Sequence, residues 1–345
     1  MPLDGDWFAV LTRVAREAGA EGVPEVLSDR ADGPVVRLGE VVAKAHATDT
    51  DIPALRTRVA IAADPRLRTV LLPPIPIGDD LLRLSSDRPI TLWRYGIPVD
   101  PDTPEAAPWE EAAALLAELH SISTHNLGRA LPKAGGPERV RHAIARLRSS
   151  PHADSPAAEV ILRAYDALPD LEPSPDSPTP PSFFRHAFGR NPPEPAMDPG
   201  QKHAGKRKMP ESDQAGKTLA HGDFHLGQLV RVPNSGGAGE NPWRLIDVDD
   251  LGWGDPVWDL ARPAGFFAAG VLDPVAWQRF LGAYRACGGP AVPGDGAEWG
   301  VLDGPARALV VQAAARAVAK GRVLDDLDVA LIDACSRMTA LTYGG

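Results

Sequence analysis

The chain has 345 residues, a formal net charge of -10, 24% charged residues and 43% hydrophobic residues. Its length implies one large bilobal unit or two domains, and its composition is that of a globular protein rather than a disordered or membrane-embedded one. The acidic balance argues against nucleic acid as the main partner, since phosphate binding normally shows as a basic face, and it suits a cationic small molecule.

The opening segment, MPLDGDWFAVLTRVAREAGA, has helical spacing from Asp6 to Ala18, with Phe8, Leu11 and Val14 on one side and Arg13, Arg16 and Glu17 on another. It has early acids where a signal peptide would have a basic start and an unbroken apolar core, so none is expected. No apolar run approaches bilayer-crossing length, and no membrane partner is expected. Next, PVVRLGEVVAKAHA alternates apolar and polar residues around Gly39, which predicts two short strands and a tight turn. TVLLPPIPI is broken by prolines and is at best an edge strand. ITLWRYGIP closes a β-rich amino-terminal lobe assigned to residues 1–95.

From Pro108 onward helices dominate. In PWEEAAALLAELHS the proline suits a helix start, Glu110 and Glu111 favour the first turn, and Leu115, Leu116 and Leu119 form a buried stripe. Asp255-Pro256 and Asp273-Pro274 each read as an N-cap followed by proline, and two further helices are predicted at about 305–320 and 325–341. Residues 168–217 are rich in proline, serine and charge, and include the basic cluster Lys202, His203, Lys206, Arg207 and Lys208. Such a segment cannot bury enough surface to offset its ordering entropy, which predicts a flexible insertion whose basic cluster reads most simply as a solvated loop. Cys287 and Cys335 are the only cysteines and match neither a disulfide framework nor a zinc site, so a reducing cytoplasm is the expected location.

The chemistry concentrates in TLAHGDFHLGQLVRV and WRLIDVDDLGWGDPVWDLAR, joined through SGGAGENP. LGQLVRV and WRLIDV read as antiparallel strands, with Asp223 before the first, Gln228 at its beginning and Asp247 at the end of the second, so the three converge at one end of a hairpin. Phosphoryl transfer needs a group that orients the attacking hydroxyl and oxygen ligands that hold magnesium on the phosphates. An aspartate, an amide five residues later and an aspartate on the next strand supply those parts, and magnesium prefers such oxygen ligands.

HGDFHLGQ followed by IDVDDLGWGDPVWDLA resembles the catalytic and metal motifs of the aminoglycoside phosphotransferase superfamily, relatives of the eukaryotic protein kinases that phosphorylate small hydroxyl compounds. The HLGQ variant is similar to that of actinobacterial maltokinases, and the whole segment looks most like actinobacterial glucosamine kinases. The resemblance is strong over about forty residues and fades toward the insertion and the amino terminus. It implies an α+β, bilobal protein-kinase-like fold with a small β-rich lobe and a mostly helical lobe over 96–345, using ATP and Mg2+ on a sugar or amino-sugar acceptor. It further implies that Asp223 is catalytic, that Asp247 is the main metal ligand, and that Gln228 stands where asparagine is commoner.

Lys44 in VVAKAHA matches the family's strand lysine that meets the nucleotide phosphates. DIPALRTRVAIAADPRL offers it no glutamate; Asp49 or Asp51 substitutes, or the pair forms only with nucleotide. LWRYG falls where such kinases connect their lobes, so backbone groups of Arg94, Tyr95 and Gly96 are the adenine candidates. The loop from Ser28 to Pro34 takes the phosphate-covering position with a single glycine, which is no glycine-rich clamp. Asp249 and Asp250 are placed to assist the metal or meet the acceptor. Glu298 and Trp299 have the chemistry for an amino group and a sugar face. Gln312, Arg316 and Lys320 share a helix face that reads either as a solvated stripe or, for Gln312 and Arg316, as acceptor contacts. His221 and His225 read as supports of their turn and His120 as a packed residue.

Two other classes compete. Gly222-Asp223-Phe224-His225 has the outline of a metallophosphoesterase GDxH signature, but the sequence lacks the GNH element that fold requires. A silent nucleotide-binding module is expected to lose Lys44, Asp223 or Asp247, and all three are present. The sequence leaves oligomeric state open.

Overall fold

The first helix, α1, runs over Trp7–Glu17 and buries Trp7, Leu11, Val14 and Ala15, a spacing of one helical face. Phe8, expected on that face, is 42% exposed; Trp7, one position earlier, completes the stripe in its place. The structure is a computed structural model and describes residues 7–30, 33–85, 88–123, 127–128, 130–171, 218–233, 242–294 and 296–340. The bulk of the expected insertion with its basic cluster, the SGGAGENP connection and the middle of the phosphate-covering loop lie outside the described residues.

Strands β1 (Pro24–Ser28), β2 (Val35–Leu38), β3 (Val41–Ala45), β4 (Pro74–Ile75), β5 (Arg83–Ser85) and β6 (Arg88–Arg94) form an antiparallel sheet in the order β1-β2-β3-β6-β4, with β5 also pairing β6. The turn between β2 and β3 is made at Gly39, as its sequence suggests, and β4 is a two-residue edge strand. Ala43 and Ala45 of β3 pack with α1, Val36, Leu38, Ile90 and Leu92 in one core. Because strand side chains alternate, Lys44 then falls on the opposite face, directly across from Thr91 of β6.

Helix α2 (Ile52–Ala62) starts at an Asp51 cap, whose Oδ1 accepts from the Ala54 N–H at 3.0 Å. Helix α3 (Trp109–His120) buries Leu115, Leu116 and Leu119 as expected. Strand β7 (Ile97–Pro98) pairs with β9 (Leu229–Arg231), which pairs antiparallel with β10 (Trp243–Leu245); β8 (Thr218–Ala220) pairs with β11 (Gly252–Gly254). The remaining helices are α4 (Gly136–Arg148), α5 (Pro156–Asp166), α6 (Val257–Ala268), α7 (Pro274–Ala286), α8 (Trp299–Ala319) and α9 (Asp326–Ala340).

Pro256, expected inside α6, takes its N-cap position, and Asp255 before it accepts from the Val257 N–H at 3.0 Å. Helix α8 begins about six residues before the expected 305, and Pro305 lies inside it. The missing N–H is tolerated where Leu302, Ala306, Leu309 and Val310 bury the surrounding turns. The chain groups into two compact units. One draws on Met1–Gly136, Thr218–Gly254 and Val275–Pro290, the other on Pro137–Lys217, Asp255–Pro274 and Ala291–Gly345. The second is helical, built from α5, α6, α8 and α9 packed together, with Val140, Ala261, Ala308 and Leu309 in its core. Among the described residues no helix is long and apolar enough to cross a membrane.

Candidate active site

The site grows from β3 and from the two turns flanking the β9–β10 hairpin, all within the first unit. Lys44 projects its ammonium between Asp247 Oδ1 at 2.7 Å and Asp249 Oδ2 at 2.8 Å. Gln228, at the end of a single 3-10 turn before β9, donates from Nε2 to Asp247 Oδ2 at 3.1 Å. Asp247 follows β10 with φ 63° and ψ 71°, the only non-glycine residue with positive φ among those described. Aspartate tolerates that region better than most residues, yet it costs on the order of 1–3 kcal/mol, and the polar contacts to Lys44 and Gln228 offset it.

Asp223 sits half-buried in the turn between β8 and the Gln228 turn. Its neighbours fix that turn. His221 Nε2 donates to the Ile246 carbonyl at 2.8 Å, which ties the turn to the residue before Asp247. Gly222 has φ +84°, and a Cβ there would strike the Asp250 carbonyl and come within 2.7 Å of the Gly135 nitrogen, so only glycine allows the approach. Phe224 is buried and stacks on Phe280 at 5.9 Å, while His225 Nδ1 accepts from the Gly227 N–H at 3.1 Å. Both histidines therefore support the loop, as their sequence context suggested, and His120 is packed, with Nδ1 2.7 Å from the Tyr284 hydroxyl.

Burial alone would lower the pKa of Lys44, but Asp247 and Asp249 outweigh it and hold the ammonium above its ordinary value. Burial likewise opposes ionisation of the two carboxylates. Lys44 reverses this at both, with His46 adding to the effect at Asp249, so each stays below the usual carboxylate range. Two carboxylates against one ammonium leave an excess of negative charge, and the acids keep 35% and 37% of their side chains open to solvent. A cation with oxygen ligands fits that donor set of carboxylates and an amide.

The sequence matches no family model and no curated protein. Solved structures do match along nearly the whole chain. A choline/ethanolamine kinase family protein from Mesorhizobium loti is 17% identical, with a TM-score of 0.54 over 98% of this chain and 94% of the other. Spectinomycin phosphotransferase APH(9)-Ia, in complex with ADP and spectinomycin, is 11% identical with a TM-score of 0.54, covering 98% and 94%. A thermostable mutant of aminoglycoside phosphotransferase APH(4)-Ia, in a ternary complex with AMP-PNP and hygromycin B, is 14% identical with a TM-score of 0.52, covering 98% and 100%. The chain has the fold of these phosphotransferases.

Within that protein-kinase-like fold, neither Asp49 nor Asp51 provides the partner sought for Lys44: Asp51 serves as the α2 cap, and Asp247 and Asp249, which meet the lysine, come from the segment after β10. Sequence reading also missed His46, Thr91 and Trp93, which form a hydrogen-bonded chain leading to Asp249. The alternation of VVAKAHA held the signal, since His46 lies two residues beyond Lys44 and so on the same strand face.

Arg94 is exposed, Tyr95 half-buried and Gly96 buried between β6 and β7. The Tyr95 N–H donates to the Glu40 carbonyl at 2.8 Å and its ring carries the Arg37 guanidinium 3.4 Å from the centroid. A Cβ on Gly96 would come within 2.6 Å of Val230, so glycine lets this connection lie against β9. The other acceptor candidates belong to the second unit. Glu298 and Trp299 open α8 and are buried, with Trp299 stacked on Phe267 at 6.3 Å. Gln312 is 1% exposed and accepts from Arg262 Nη2 at 3.4 Å, whereas Arg316 is half-buried and Lys320 exposed. The shared face is therefore graded from interior to solvent and is no uniform solvated stripe.

Proposed function

We propose that this protein is an ATP-dependent kinase of the reducing cytoplasm that phosphorylates the 6-hydroxyl of glucosamine. The observation that carries the kinase reading is Lys44 bridged to Asp247 and Asp249, with the Gln228 amide on Asp247. ADP and AMP-PNP in two structures of the same fold support a nucleotide donor.

In this reading Asp247 and the Gln228 amide oxygen would hold magnesium, which supplies charge neutralisation on the donor phosphates. Lys44 exchanges its contact with Asp247 for phosphate oxygens. Backbone groups of Arg94, Tyr95 and Gly96 receive adenine. Asp223 orients the acceptor hydroxyl and takes its proton on a carboxylate oxygen as the bond from that hydroxyl oxygen to the γ-phosphorus forms and the bond from phosphorus to the ADP oxygen breaks. The turn that holds Asp223 is fixed by His221, Gly222 and Phe224, which supports a positioned acid in this reading.

The acceptor rests on the HGDFHLGQ and IDVDDLG resemblance and on the acidic groups Asp249 and Asp250, which suit a protonated amine; Glu298 is a separate acidic candidate. Trp299, Gln312 and Arg316 are the remaining acceptor candidates. An aminoglycoside is the competing acceptor, favoured by the hygromycin B in one structure of the same fold. A metallophosphoesterase is disfavoured because His225 Nδ1 is engaged by the Gly227 N–H and because, among the described residues, no cluster of three or more His, Cys, Asp or Glu is arranged to hold a metal.

Initial rates with magnesium ATP and equal concentrations of glucosamine, glucose, N-acetylglucosamine, maltose and kanamycin test the proposal. Glucosamine should lead, glucose should be poor and N-acetylglucosamine worse, because losing a hydrogen-bonding partner strands polar groups in the site. Preference for kanamycin or maltose would move the acceptor, and absence of transfer to every hydroxyl compound would sink the kinase reading.

A further inference from the structure

In this fold a strand lysine that meets phosphates needs a counter-charge to hold it in position, and α2 here contains no acid at all. The charge comes from Asp249, and the polar chain behind Asp249 has a defined direction. Trp93 Nε1 can only donate, and it meets Thr91 Oγ1 at 2.9 Å. Thr91 Oγ1 is 2.9 Å from His46 Nε2, and His46 Nδ1 is 3.2 Å from Asp249 Oδ2. The ionised carboxylate at the other end can only accept. A donor-only indole and an acceptor-only carboxylate leave one arrangement for a neutral imidazole: Thr91 donates to His46 Nε2, and His46 donates from Nδ1 to Asp249. The same Asp249 oxygen takes the Lys44 ammonium at 2.8 Å.

The scaffold under the chain is rigid. His46 and Thr91 are 2% and 0% exposed, and Lys44 and Thr91 are register partners on β3 and β6. A buried imidazole with both nitrogens engaged has no alternative orientation that keeps both bonds. Asp247 differs: in the kinase reading it would hold magnesium, so its carboxylate would be shared with the metal, whereas Asp249 would keep Lys44.

Resting on the kinase reading above, we propose that Asp249 is the standing anchor of Lys44, taking the role a helix acid would otherwise fill, and that the Trp93–Thr91–His46 chain positions it. His46 is then a positioning residue: it holds the carboxylate that aims the lysine at the phosphates, and touches neither nucleotide nor acceptor.

The two amide replacements of His46 separate this from a purely structural role. In His46→Asn the amide nitrogen stands near the Nδ1 position and can still donate to Asp249. In His46→Gln it stands near the Nε2 position and serves Thr91 only. Affinity for a fluorescent ADP analogue with magnesium, measured without acceptor, should fall about tenfold in His46→Gln and stay within about threefold in His46→Asn, the difference being one charge-assisted hydrogen bond. The loss should recur as a raised KM for ATP with kcat less affected, and the magnesium midpoint should not move. Asp249→Asn should weaken the nucleotide at least as much as His46→Gln.

Thermal unfolding of each variant identifies any that fail to fold. If His46→Gln does not fold, Thr91→Val, which deletes the hydroxyl and keeps the shape, should show a smaller loss in the same direction. Equal behaviour of the asparagine and glutamine variants, or wild-type nucleotide affinity in Asp249→Asn, would overturn the anchor. A raised magnesium requirement as the sole effect of Asp249→Asn would also overturn it and make Asp249 a metal ligand. If the wild-type protein binds no nucleotide, the kinase reading falls and the anchor with it; if it binds and transfers normally while the His46 pair is indistinguishable, only the anchor falls.

Discussion

Lys44 lies between two carboxylates that keep 35% and 37% of their side chains open, whereas Arg307 and Asp303, one turn apart on α8, are 11% and 8% exposed at 3.8 Å. Each sets a basic side chain against aspartate, and the settings are opposite. The first cluster joins a strand to a segment 203 residues later, with one acid on a strained backbone, so a ligand that competes for the carboxylates can open it. The second is local to one helix, and Arg307 also donates to the Ala167 carbonyl at 3.1 Å. Burial lowers the pKa of Arg307 and Asp303 only partly restores it, as expected of a group enclosed for packing rather than presented to a substrate. Converging charge with solvent access can be opened by a ligand; charge buried on a helix is held by packing.

The sharpest break in this comparison comes from Asp223→Asn. It should fold and bind ATP normally yet lose transfer by roughly 10²–10⁴ in kcat, the range for a general base, measured by single-turnover kinetics beside nucleotide titration. Near-normal turnover would place the reacting hydroxyl elsewhere. Asp247→Ala should lose magnesium-dependent nucleotide binding as well as activity. Gln228→Ala should shift the magnesium titration strongly to higher concentration, while Gln228→Asn keeps part of the function, because the shorter amide presents the same oxygen less well to a metal that demands near-octahedral geometry.

The scaffold side of the comparison is tested by Arg307→Leu, which leaves Asp303 buried without its cation. Unfolding free energy should drop by roughly 3 kcal/mol, with kcat per folded molecule unchanged. A fall in kcat with stability intact would mean that the α8 pair is part of the chemistry. The smallest effect concerns the two thiols. Cys335 is buried in α9 and its pKa is pushed up to about 12 by that burial, with Arg337 pulling slightly the other way, while Cys287 is exposed. A thiol reagent at pH 8 should label one cysteine per native chain and two after denaturation, since the thiolate is the reactive form.

Much of the site was legible because its signals are local. The β9–β10 hairpin, Gln228 before its first strand and Asp247 after its second follow from apolar runs bounded by turn residues, and the Gln228–Asp247 contact bears out their convergence. Lys44 was legible through the family resemblance of VVAKAHA. Its partners were not, because residues around 44 and around 247 meet only through the sheet and the hairpin, and no spacing encodes that distance. The buried face of α1 was misjudged by one position, since Trp7 and Phe8 are both large and apolar and only packing against β2 and β3 selects between them. The start of α8 was misplaced by six residues, and Pro305, at the expected start, is carried inside a helix whose flanking turns are buried.

By itself, then, the sequence determined α1, α3, the β2–β3 turn and the β9–β10 hairpin, and which acids and amide flank that hairpin, because those depend on side-chain periodicity and on the restricted backbone of proline and glycine. Tertiary structure decided the charge partners. It brought Asp249 rather than Asp51 to Lys44, engaged both nitrogens of the His46 ring through Thr91 and Asp249, and enclosed Gln312 on a face that spacing alone would have left open to water. The physical reason is range: periodicity acts over a few residues, whereas an ion pair or a buried hydrogen bond is set by atoms within a few ångströms, whatever their separation along the chain.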